Sequence, residues 1–170
     1  MVEREAAHPD LEVLTWSMFG VAVRELAGSI ASSGFRPDLV LSIARGGLTV
    51  GGTLAYALAT KNCAIINVEY YTGIDERLEL PAVLPPVPDP VGMNDLNVLI
   101  ADDVADTGRT LAMVSEFCRR HVREARTGVL YRKPWSTIDP DYVWRETNRW
   151  IAFPWSAEGP VAGASDTERG

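Results

Sequence analysis

Val98-Leu99-Ile100-Ala101-Asp102-Asp103-Val104-Ala105-Asp106-Thr107-Gly108-Arg109-Thr110 reads as a buried strand that ends in acid and turns into a helix. The first four residues are apolar without alternation and include two β-branched side chains, the pattern of a strand covered on both faces in a parallel sheet. Asp102 and Asp103 then fall at the strand's carboxyl end, where open α/β sheets place their ligands. Residues 106–110 form the turn into the next helix. Thr107, Gly108 and Thr110 are small, and the N–H groups of a helix start lack intrahelical partners, so the turn offers main-chain donors and hydroxyls to a dianion. Gly108 lets the backbone come close. Taken alone, the same residues would serve equally well as helix caps and solvated strand ends.

The remainder of the chain fits one soluble enzyme domain. It has 170 residues, 46% hydrophobic and 23% charged, enough to bury a substantial core. No apolar run reaches membrane-spanning length, and Met-Val-Glu-Arg-Glu at the start is neither a basic n-region nor an apolar h-region, so a cytoplasmic protein without a membrane partner is expected. The net charge of -7 argues against nucleic acid as the main partner. It does not exclude a small anionic substrate, because local donors, arginines and Mg²⁺ outweigh a distant global charge. Cys63 and Cys118 have no companion at metal-ligand spacing and lie in apolar segments, so both are expected to be buried free thiols.

Helices and strands alternate along the chain. Thr15 is placed to cap a helix over residues 16–33, in which Phe19, Val23, Leu26 and Ile30 share one face and which Gly34 and Pro37 end. Residues 39–44 read as a buried strand and residues 48–60 as a helix, which Gly51 and Gly52 would weaken unless something packs closely on them. Residues 64–68 make a third strand. From 72 to 96 there is no sustained period, five of the eleven prolines fall between 81 and 90, and Gly73 and Gly92 mark the two sides, which is the composition of a lid or of a disordered loop.

Beyond the central stretch, Leu111, Val114, Phe117 or Cys118, and Val122 line one helix face, with Arg119, Arg120 and Arg123 as a solvated end. Residues 127–131 form a strand leading into Arg132-Lys133-Pro134-Trp135, and Trp150-Ile151-Ala152-Phe153-Pro154-Trp155 is a short aromatic strand. The alternation predicts an α/β fold: a doubly wound, mostly parallel sheet flanked by helices. One domain is expected over residues 1–156, with a polar, disordered tail over 157–170.

Ser42-Ile43-Ala44-Arg45-Gly46-Gly47 is a second candidate anion site, where a glycine turn after a strand adds one guanidinium to helix-start N–H donors. Lys133 follows a strand end, and an aromatic face beside a cation suits a flat, carbonyl-bearing heterocycle. By residue type alone, however, Trp150 reads as core and Lys133 as a surface cation. No Gly-x4-Gly-Lys-Ser/Thr pattern occurs, which sets aside a P-loop enzyme.

An apolar strand, two acids, two spacer residues and then Asp-Thr-Gly-x-Thr closely resembles the phosphoribosyl-pyrophosphate (PRPP) motif of type I phosphoribosyltransferases. The lysine-proline after a strand, the late Trp-Ile and Pro-Trp, and Leu14-Thr15-Trp16 are similar to bacterial and archaeal xanthine-guanine-hypoxanthine phosphoribosyltransferases. The resemblance implies that enzyme fold, with a flexible hood over residues 72–96, and transfer of phosphoribosyl from PRPP to a 6-oxopurine in purine salvage. Asp102 and Asp103 would hold the ribose hydroxyls, directly or through Mg²⁺-bound water, and Ala105, Asp106, Thr107, Gly108, Arg109 and Thr110 would bind PRPP, with Thr107 to Thr110 cradling its 5′-phosphate. Ala44, Arg45 and Gly46 would form the pyrophosphate loop, in which a non-proline cis peptide is common.

Asp106 would be the catalytic general base near N7 of the purine. Lys133 would donate to its 6-oxo group, Trp150 would stack on it, and the Trp150 and Ile151 backbone would meet its far edge. Homo-oligomers, dimers or tetramers, are common in the family. Two other classes stay open at this point: a nucleotide-binding regulator of the same fold without turnover, and a phosphoribosyltransferase for another base.

Overall fold

A computed structural model of the chain describes residues 11–71, 80–84 and 91–161. Strand β1 (Leu11–Val13) leads into α1 (Trp16–Ser32), whose cap Thr15 accepts a hydrogen bond from the Met18 N–H at 3.2 Å. Phe19, Val23, Leu26 and Ile30 are buried along α1, as their spacing predicts, and Gly34 follows with φ of 84°. Strand β2 (Leu39–Ala44) runs into α2 (Gly46–Ala57). That helix starts and stops earlier than the expected 48–60, because Gly46 and Gly47 are themselves its first turn.

Next come β3 (Cys63–Tyr71), β4 (Leu80–Leu84), a 3-10 turn (Val91–Met93) and β5 (Asn97–Ala105). The chain continues through α3 (Arg109–Arg119), β6 (Glu124–Arg132), β7 (Tyr142–Glu146) and β8 (Trp150–Ala152).

Six of the strands form one sheet in the order β4-β3-β2-β5-β6-β7, parallel throughout except for β4. The chain steps outward from β2 to β3 on one side and from β5 to β6 on the other. The winding direction therefore reverses between β2 and β5, and a crevice opens there beyond the strands' carboxyl ends.

Both sheet faces are covered. Leu99 and Ala101 of β5 pack with α1 and α2 residues such as Leu26, Ile30, Val50 and Leu54, while Val98 and Ile100 pack with Leu111, Val114 and Cys118 of α3. This is the doubly wound arrangement expected, and it explains the unbroken apolar run at the start of β5. Close packing also accounts for Gly51, where a Cβ would collide with the Ser42 hydroxyl, whereas Gly52 has open space around it.

Several details differ from the sequence reading. Cys118 is buried but Cys63 is exposed. Cys63 and Ile65 share a face of β3, and Ile65 is also exposed, so that face lacks a covering layer among the described residues. Residues 80–84 of the expected irregular hood pair with β3 as a strand, Leu84 opposite Asn67, while residues 72–79 and 85–90 lie outside the described residues. Helix α3 stops at Arg119, so Val122 lies beyond it. Residues 162–170 of the expected tail lie outside the described residues, whereas Ala157 lines a cavity.

A second, two-stranded sheet was not anticipated: β1 and β8 pair in parallel, Leu11 opposite Trp150 and Glu12 opposite Ile151. No helix among the described residues is long and apolar enough to cross a membrane.

Candidate active site

The crevice between β2 and β5 brings the two anion motifs side by side. Ala44 ends β2, Arg45 is exposed, and the peptide bond between them is cis. A Cβ on Gly46 would overlap the Asp103 carboxylate, and one on Gly47 would overlap the Ala101 carbonyl. The start of α2 therefore lies directly on β5, and only glycines permit that approach.

Strand β5 continues through its acids instead of ending at them. Asp102 is buried, and its Oδ1 accepts a hydrogen bond from the Asp103 N–H at 2.9 Å. Burial, followed by the neighbouring charge of Asp103, holds the Asp102 carboxyl well above the usual carboxylate range. Burial also raises Asp103, against the opposing pull of hydrogen bonds that include one from the Trp155 side chain. A buried acid and a half-buried one thus lie side by side at the crevice floor, where their ionised forms gain most from an incoming cation or hydroxyl. No group of three or more potential metal ligands occurs among the described residues.

Past Ala105 the chain turns sharply. Asp106, Thr107 and Arg109 are exposed, and Gly108 takes a left-handed φ of 81° as the N-cap of α3. A cavity of about 280 Å³ opens here, lined by Asp102, Asp106, Thr107, Arg109 and Thr110 among others.

This turn is held from behind by the segment after β6. Lys133 N–H donates to the Ala105 carbonyl at 3.0 Å, and the Thr137 N–H and hydroxyl both donate to the Thr107 carbonyl, at 3.0 and 2.9 Å. A Cβ on Gly108 would lie 2.6 Å from Ser136 Oγ and 2.7 Å from Ile138 Cγ2, so the glycine is required by both dihedral and space.

The same segment forms the wall of a second cavity of about 660 Å³, lined by Asp106, Lys133, Trp135, Asn148, Trp150 and Ile151 among others. Val104 and Asp106 line both cavities. Lys133 is buried and its ammonium donates to the Arg149 carbonyl. Burial lowers its pKa, while Asp106 and then Glu12 pull it back up. Trp150 is 76% exposed and Ile151 is buried. Residue type alone therefore misplaced both: the lysine is inside and the tryptophan outside, an inversion that suits a binding pocket better than a core.

Trp135 carries a role that sequence did not assign. Its indole N–H donates to Asp106 Oδ1 at 2.9 Å. The available signal was its position directly after Lys-Pro at a strand's carboxyl end. Trp155, which the sequence places in an aromatic strand and in the family resemblance, lies beyond β8 and stacks on Phe153 at 4.9 Å.

The structure sets the 44–46 turn against Asp103, continues the two acids into the 105–110 turn, and lines a neighbouring cavity with Asp106, Lys133, Trp150 and Ile151. The family model described as the phosphoribosyl transferase domain matches residues 11–159, which span every one of these elements. The chain belongs to the phosphoribosyltransferase family.

Among its relatives, this phosphoribosyltransferase is similar to the purine phosphoribosyltransferase from Pyrococcus horikoshii Ot3. The identity is 34%, with a TM-score of 0.77, over 91% of this chain and 99% of that one. It is 29% identical over 153 residues to xanthine-guanine phosphoribosyltransferase of Ruegeria sp. (strain TM1040), covering 84% of this chain and 83% of the relative. To xanthine-guanine phosphoribosyltransferase of Roseobacter denitrificans it is 27% identical over 154 residues, covering 87% and 80%.

Proposed function

We propose that this phosphoribosyltransferase moves the phosphoribosyl group of PRPP to a 6-oxopurine, yielding a purine nucleoside 5′-monophosphate and pyrophosphate, as a step of purine salvage. The observation that carries this reading is the pair of cavities that meet at Asp106. One is rimmed by helix-start N–H groups and threonines, the other by a buried cation and exposed aromatic rings. A phosphate suits the first chemistry, and a flat base with a carbonyl suits the second.

In this reading residues 107–110 take the 5′-phosphate, and the 44–46 turn takes the pyrophosphate through Arg45 and its neighbouring N–H groups. Asp102 and Asp103 take the ribose hydroxyls. The donor set also fits Mg²⁺: two adjacent carboxylates, one buried and one half-buried, with no group of three ligands among the described residues, suit an ion that arrives carrying substrate oxygens and water. Bound there by Asp102 and Asp103, directly or through water, Mg²⁺ would neutralise charge on the departing pyrophosphate.

Charge development assigns the remaining roles. The purine N9 bonds to C1 of the ribose as the C1–O bond breaks and its electron pair leaves with pyrophosphate. Positive charge builds on the ribose and negative charge on the leaving group, where Arg45 acts. The base loses its N7 proton to Asp106, which borders both cavities. Lys133 donates to the 6-oxo oxygen, Trp150 covers a ring face, and the Ile151 backbone meets the opposite edge. The test is pyrophosphate release from PRPP and Mg²⁺ with a panel of free bases. Xanthine, guanine or hypoxanthine should be used best; adenine or a pyrimidine as the best acceptor would overturn the 6-oxopurine assignment.

A further inference from the structure

We infer that Trp135 is a positioning residue that keeps Asp106 and Lys133 apart by giving each charge a complementary part of one indole ring. The inference rests on the reading of Asp106 as the base and Lys133 as the purine's carbonyl donor.

Two opposite charges in one cavity tend to pair. Asp106 and Lys133 line the same cavity, and the charge of Asp106 raises the lysine's pKa, yet they form no ion pair among the described residues. Each is partnered by Trp135 instead. The indole N–H donates to Asp106 Oδ1 at 2.9 Å, and the Lys133 ammonium lies 5.6 Å from the centroid of the same tryptophan's ring.

An aromatic ring is electron-rich on its face and positive at its edge, and the indole N–H is the most positive point of that edge. One side chain therefore meets a cation with its face and an anion with its rim. The Arg149 carbonyl holds the ammonium from another direction. An ammonium has three donors, so Lys133 still has a proton for the purine, and Asp106 keeps Oδ2 for the N7 proton. Were the two charges to collapse onto each other, the incoming purine would have to break an ion pair before either could act.

Trp135 is 55% exposed, so its replacement should leave the fold intact, which a melting curve checks. Trp135→Phe keeps a ring face and removes the N–H; Trp135→Leu removes both. Trp135→Phe should lower kcat roughly 10- to 100-fold, the scale of a small misplacement of a reacting group, with KM for PRPP unchanged. Trp135→Leu should show the same loss in kcat and also raise KM for the purine by about two- to fivefold as the cation loses its ring. A benzothiophene isostere at 135, of the same shape but without the N–H, should match Trp135→Phe, which separates the lost donor from altered packing.

The decisive arm is a double substitution. In an Asp106→Asn background, adding Trp135→Phe should cost nothing further in kcat. Wild-type kcat in Trp135→Phe, or its full loss repeated in the Asp106→Asn background, would overturn the positioning role while leaving Asp106 as base. Wild-type kcat in Asp106→Asn alone would overturn the role of Asp106, and with it this inference.

Discussion

On the side of the crevice proposed for phosphate the protein presents main chain: the turn at residues 106–110, the start of α2 laid against β5 through Gly46 and Gly47, and few large side chains. On the base side it presents side chains: buried Lys133, exposed Trp135 and Trp150, and the aromatic strand behind them. A phosphate is small, highly charged and alike in every substrate, so fixed backbone donors suffice. A heterocycle is recognised by its edges and faces, which requires side chains that reach and stack. The first half consequently tolerates almost no added atoms, whereas the second offers positions where one functional group is removable with the backbone left in place.

That contrast is open to attack at the residue the halves share. Asp106→Asn should lower kcat by roughly 10²–10⁴, the usual effect of losing a general base, with KM for PRPP little changed in steady-state assays. A large rise in KM for PRPP would instead place Asp106 wholly on the phosphate side. Lys133→Met tests the base half: KM for the purine should rise about 10- to 100-fold, from a lost charged hydrogen bond of roughly 1.5–3 kcal/mol, while KM for PRPP holds.

Gly108→Ala tests the phosphate half. A left-handed φ costs an ordinary residue about 1–2 kcal/mol, so KM for PRPP should rise about tenfold. Because the added methyl would press on Ser136 and Ile138, a matching rise for the purine would show that the halves move as one.

The smallest effect concerns stability. Burial depresses the Lys133 pKa, so the folded state binds its proton less readily than the unfolded state does. The resulting destabilisation is present in full below the folded pKa, and fades as pH rises from there through the ordinary lysine value near 10.4. Ligand-free Lys133→Met should therefore melt above the wild type at neutral pH, with the gap closing in alkali. A gap that widens as pH rises would reverse the sign assigned to this lysine.

The halves also differ in how far the sequence reveals them. The phosphate side is written in consecutive residues. An apolar run, two acids and a glycine turn within residues 98–110 are enough to place a strand, a crevice and a helix start, because the proposed grip consists of local backbone. The base side is assembled from residues far apart in sequence. Lys133 is buried with its ammonium on the carbonyl of the distant Arg149, and Trp150 is exposed on a strand that joins β1 instead of the main sheet. Neither fact has a local signature, so residue type suggested the opposite for both. Trp135 stayed unassigned for the same reason: its partner Asp106 belongs to a different strand's end.

The pairing of β1 with β8 bears on the order in which this molecule acquires its parts. Leu11 must wait for Trp150, almost the whole described chain later, whereas the contacts of β5 with α3 and β6 close over short distances. Distant contacts incur the greatest loop-closure entropy and tend to form late. The phosphate grip should therefore mature first and the purine wall last. Pulse-labelled hydrogen exchange during refolding would show it, the β5 amides gaining protection before those of β1 and β8. On the proposed roles, a half-made molecule would hold the sugar phosphate before it could choose a base, and acceptor selectivity would be the final property the polypeptide gains.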